Sequence, residues 1–65
     1  MIKLTHENAK EGSLVKWYRH ADEKWIVGII VEVRHAGRGA CIYMDGVEVI
    51  VDLQFSQDLY LMENQ

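Results

Sequence analysis

The chain has 65 residues, 49% hydrophobic and 26% charged, with one cysteine and no proline. That length allows one domain at most, and a single apolar core of this size supplies only about 3–5 kcal/mol of net stability. The lone Cys41 excludes an internal disulfide or a cysteine-rich zinc site as reinforcement, so very good packing or self-association is expected.

Charge is unevenly distributed. The net charge of -3 argues against a protein that coats nucleic acid, yet residues 1 to 38 hold all seven Lys and Arg, and residues 39 to 65 are acidic without any base. Such a partition favours a local basic face or head-to-tail contacts. The start of the chain lacks the apolar stretch of a signal peptide, and the longest apolar run, Trp25 to Val31, is too short to span a bilayer. A cytoplasmic protein with no membrane contact is expected.

In chain order, residues 1 to 11 form an N-terminal segment in which Thr5 to Glu11 suits a short helical turn capped by Thr5. Leu14 to Arg19 is rich in aromatic and β-branched residues and predicts a strand, ended by the polar loop His20 to Lys24. Trp25 to Arg34 predicts a long strand with Val27, Ile29, Val31 and Val33 on one face and Ile26, Gly28, Ile30 and Glu32 on the other. The valine-rich face is assigned to the core, and Gly28 to a bend or bulge at a barrel corner. After a loop at Ala36 to Gly39, Ala40 to Met44 and Val47 to Val51 flank Asp45-Gly46, the strongest local signal, which predicts a two-residue type I′ hairpin turn. Leu53 to Gln57 suits one 3₁₀ turn, and Asp58 to Met62 a short last strand. The expectation is an all-β domain, a five-stranded barrel over residues 12 to 62.

This order resembles the SH3-like small barrel, in which the third and fourth strands form a tight hairpin and a 3₁₀ turn leads to the fifth. Gly12-Ser13-Leu14-Val15-Lys16-Trp17 followed by Trp25-Ile26-Val27-Gly28-Ile29-Ile30 is similar to the opening of KOW and Tudor-type barrels. The chain also looks like the short uncharacterised barrel proteins of tailed phages and environmental sequences. The resemblance implies a fold that hosts nucleic-acid binding, peptide binding and subunit assembly. Type II plasmid dihydrofolate reductases share the barrel, but their Val-Gln-Ile-Tyr segment is here Val51-Asp52-Leu53-Gln54, which lacks that chemistry.

No catalytic constellation is visible. His6, His20 and His35 lie far apart without ligand spacing, Cys41 sits in a strand without a partner base, and the carboxylates occupy turns or alternate with hydrophobics. A non-enzymatic protein without cofactor or metal is expected. Aromatics are the better lead: Trp17 or Tyr18, with Trp25 and Tyr43 and beside Lys16, Arg19 and Arg34, suits a stacking surface for a peptide or single-stranded nucleic acid. Val15 is assigned to the core. If the valines of the long strand face inward, Ile26 and Ile30 face out, as does Ile50 on the strand where Val47, Val49 and Val51 face in, and the three predict a homo-oligomer interface. The sequence thus reads as a binding or assembly module that self-associates, with a protein or single-stranded nucleic acid as its partner.

Overall fold

The computed structural model describes residues 2–34, 38–55 and 58–62. Its strands are β1 (Ile2–Lys3), β2 (Leu14–Arg19), β3 (Lys24–Arg34), β4 (Gly39–Met44), β5 (Val47–Asp52) and β6 (Leu59–Leu61). All pair antiparallel in one sheet ordered β1-β6-β2-β3-β4-β5. Among the described residues there is no helix, and so none long and apolar enough to cross a membrane.

The all-β expectation holds, whereas the closed five-stranded ring does not. Ile2–Lys3 adds a sixth strand, pairing with Leu61 and Tyr60. That strand takes the side of β6 that β5 would have to reach to close a ring, so β1 and β5 remain as edges of an open, curled sheet. Of the expected 3₁₀ turn the described residues hold one i+3 to i bond. Phe55 N–H donates to the Asp52 carbonyl at 3.1 Å and Gln54 N–H to Asp52 Oδ1 at 2.9 Å, an Asx-type turn with no repeating 3₁₀ bonds through Phe55. The rest of that predicted turn, Ser56 and Gln57, lies outside the described residues, as do His35 and the Ala36-Gly37 part of the earlier loop.

The Asp45-Gly46 turn is as expected. Both residues have positive φ, 52° and 83°, and Met44 pairs directly with Val47. The N-terminal segment makes the single helical turn expected of it, with Thr5 at its start: Ala9 N–H donates to the Thr5 carbonyl at 3.0 Å. It is closed reciprocally, with Thr5 N–H donating to Asn8 Oδ1 at 2.8 Å and Asn8 N–H to Thr5 Oγ1 at 3.3 Å. The turn swings Leu4 and Ala9 into the core.

The long strand is inverted relative to the sequence reading. Ile30 is 1% exposed and Gly28 is buried, while Val27, Ile29 and Val31 are exposed. Register explains it: Val15, fully buried as expected, pairs with Gly28, and Gly28 pairs with Met44, so all three share the inner face. Even-numbered residues therefore point inward as far as Ile30. A register shift between Ile30 and Glu32, not a bend at Gly28, supplies the bulge and returns Val33 to the core side. Gly28 serves a different purpose, because a Cβ there would sit 2.9 Å from both Met44 Cβ and the Tyr43 carbonyl oxygen. Ile26 and Ile30 are consequently core residues and not part of an outer interface; of the three predicted isoleucines only Ile50 is exposed. Leu4, Val15, Ile30, Ile42 and Leu59 are the largest fully buried side chains, each stabilising the fold by about 1.5–3 kcal/mol through removal from water.

Candidate binding face

The convex side of the sheet gathers an aromatic cluster. Tyr18 pairs with Trp25 across β2 and β3, and Lys16 lies between Val27 of β3 and Tyr60 of β6, so alternation directs these side chains to one face. The Tyr18 and Trp25 ring centroids are 5.1 Å apart and those of Trp25 and Tyr60 6.0 Å, both edge-on at 62°. Lys16 Nζ stands 5.1 Å from the Trp25 ring centroid, a cation–π contact. His20 packs edge-on to Tyr18 at 4.8 Å, and its Nε2 is 2.6 Å from Asp58 Oδ2 at the rim. Trp25 remains 45% exposed within this cluster.

Charge on this face follows the partition along the chain. Lys3 stands opposite Tyr60, and the outward residues of β1, β6, β2 and β3 as far as Ile29 include no carboxylate. The acidic outward residues, Glu32 and Glu48, lie beyond, on the end of β3 and on β5. The half-sheet is therefore both aromatic and cationic.

Of the residues singled out from sequence, Lys16, Tyr18 and Trp25 come together. Tyr43 shares the face but pairs with Ile29, about 13 Å along the strand from Trp25. Arg34 is at the far end of β3, roughly 30 Å along the strand from Trp25, with Nε 3.5 Å from Glu32 Oε1. Trp17 points the other way and packs against the core. Arg19, on the same side, is engaged at the sheet's end: Nε and Nη2 donate to Asp22 at 2.8 and 2.7 Å, and Nη1 to Asp45 at 3.0 Å. The hydrogen bonds from Arg19 hold the Asp22 carboxyl below its usual range, and those carboxylates raise the guanidinium's own value. Tyr60 was not foreseen. The alternation Leu59-Tyr60-Leu61 carried the signal, since inward leucines put the tyrosine on the face of Lys16.

On the concave side the open sheet leaves a groove of about 510 Å³, lined by apolar side chains that include Trp17, Ile26, Met44 and Val49, with Arg19 and Asp45 at its polar end. Cys41 is buried on the convex side, its Sγ–H donating to Glu48 Oε1 at 3.4 Å. Burial first, and then the Glu48 carboxylate, push the thiol up, so thiolate is scarce at neutral pH and the sulfur is a poor nucleophile. Among the described residues no group of three or more His, Cys, Asp or Glu side chains could hold a metal ion.

No protein-family model matches the chain, and neither a curated protein nor a solved structure is significantly similar to it.

Proposed function

We propose that the chain is a non-enzymatic binding module of SH3-like type, with an added N-terminal strand, that takes single-stranded nucleic acid on its aromatic and lysine-bearing half-sheet. The SH3-like reading is supported by the order β6-β2-β3-β4-β5 in one antiparallel ladder and by the Asp45-Gly46 hairpin between β4 and β5. The observation that carries the binding reading is Trp25, half exposed between Tyr18 and Tyr60 with Lys16 beside it, on strands whose described outward residues include no carboxylate, the nearest being Asp58 at the rim. Bases stack on exposed aromatic rings irrespective of sequence, and lysines beside them meet the phosphates. An anionic strand is repelled by the Glu32 and Glu48 side and drawn to this one.

The test is a fluorescence-anisotropy titration of a labelled oligothymidylate at two salt concentrations. Trp25→Ala is expected to weaken binding about 5- to 150-fold, the equivalent of roughly 1–3 kcal/mol of stacking. Lys16→Gln should reduce the slope of log K against log salt by about 0.7, one phosphate contact on a single strand. Binding indifferent to both changes, or none at ~100 μM protein in low salt, would refute the nucleic-acid reading and leave the face to a protein partner.

A further inference from the structure

We infer that the free edge of β5 is a self-complementary docking surface whose occupant is β5 of a second copy. The inference is independent of nucleic-acid binding, which uses the opposite end of the sheet. Val47-Glu48-Val49-Ile50-Val51-Asp52 is a six-residue edge strand with high β propensity, no proline, no lysine and one interior charge. Edges of that kind attract another strand unless they are blunted. Nothing among the described residues pairs with its outer side. Ile50 is 63% exposed and Phe55, just past the strand, 72%.

Backbone geometry says which groups face the gap. A two-residue hairpin turn closes on a hydrogen-bonded pair, here Met44 with Val47, and antiparallel ladders alternate thereafter. Val47, Val49 and Val51 therefore spend their peptide groups on β4, while Glu48 and Ile50 direct theirs at the free edge. The Asp52 carbonyl, also directed outward, is already taken by Phe55 N–H.

A two-fold axis through Val49 and perpendicular to the sheet fits this edge to its own copy. Val49 then faces Val49 of the second copy, Val47 faces its Val51, and Glu48 faces its Ile50. Each Glu48 and Ile50 satisfies its peptide donor and acceptor on the other, and the inward valines of both copies stay on one face. No charge stands directly opposite a like charge, although the two Glu48 side chains are diagonal neighbours. Moving the axis to Ile50 sets Glu48 against Asp52 of the second copy, and a shift of one residue turns the inner face of one sheet against the outer face of the other. The pairing places the concave grooves side by side. Such an edge with Ile50 and Phe55 covers on the order of 500 Å² per copy, below the ~800 Å² of a standard complex, which places it in the class of small interfaces.

Sedimentation equilibrium of the full chain from ~1 to ~300 μM tests the inference, with two substitutions at the exposed Ile50 that predict opposite outcomes. Ile50→Glu opposes Glu48 of the second copy and should weaken the dimer at least tenfold. Ile50→Lys pairs with that same carboxylate and should preserve or tighten it, with a new sensitivity to salt. Circular dichroism checks that both variants fold, and the amides of Glu48 and Ile50 should exchange more slowly as native protein is concentrated. A mass of one chain throughout the range, equal effects of Glu and Lys, or Glu48 and Ile50 amides whose exchange ignores concentration would overturn it.

Discussion

Gly28 is the position at which the inverted long strand is most sharply tested. A methyl group added there would lie 2.9 Å from Met44 Cβ, 2.9 Å from the Tyr43 carbonyl oxygen and 3.0 Å from Ile42 Cγ2. Two of those atoms belong to the β4 backbone or are attached directly to it, so relief requires the ladder itself to move. Overpacking of this kind costs about 1–3 kcal/mol, offset by about 0.4–1 kcal/mol from the stiffer unfolded chain. The net loss for Gly28→Ala is about 1–2 kcal/mol, a large fraction of what a 65-residue core supplies. Thermal melts followed by circular dichroism should show Tm lowered by about 4–16 °C, at 4–8 °C per kcal/mol for a domain of this size. Had Gly28 faced solvent, the same change would raise Tm by a few degrees. An unchanged or higher Tm would therefore refute the placement of Gly28 and, with it, the face assignment of Ile26 and Ile30.

Ile30→Val should cost about 0.5–1.5 kcal/mol in urea unfolding while Ile29→Val stays within about 0.5 kcal/mol; equal costs would contradict the register. The Asp22 carboxyl titrates below its unfolded value because Arg19 holds it, so its stabilisation is present above about pH 4 and is lost as pH falls through the folded value. The Tm difference between native chain and Asp22→Asn should accordingly close on acidification, and a gap constant from pH 7 to 2 would exclude the linkage. Glu48→Gln removes a carboxylate that helps keep the Cys41 thiol protonated, so thiol-reagent kinetics at pH 8 should quicken modestly, and a slower reaction would contradict that cause.

What could be read in advance depended on how local its cause was. Asp45-Gly46 announces its turn because positive φ is a property of those two residues, and β2, β4 and β5 follow from β-branched and aromatic composition. Which face of β3 is buried has no such local cause. Both alternating sets are apolar, Val27, Ile29, Val31 and Val33 against Ile26 and Ile30, and the choice is made by the close approach of β4 to Gly28, a contact between segments. The bulge adds to the difficulty, since Ile30 and Val33 both face inward with opposite parity. β1 is two residues long and carries no periodicity, so its pairing with β6, which leaves the sheet open, was illegible. At the binding face, Lys16, Tyr18 and Trp25 were legible from alternation in two adjacent strands, whereas Arg34 was grouped with them only because composition ignores the length of β3.

Trp25 reports on its own surroundings, which makes it the most direct probe of the proposed face. In a Trp17→Phe variant it is the remaining tryptophan, and its fluorescence can be followed during titration with unlabelled oligothymidylate. Stacking of a base on the exposed ring predicts saturable quenching that weakens steeply as salt rises and is reduced by Lys16→Gln. Fluorescence unaltered at saturating oligonucleotide, in a variant that melts as the native chain does, would contradict the assignment of this half-sheet as a single-strand binding surface.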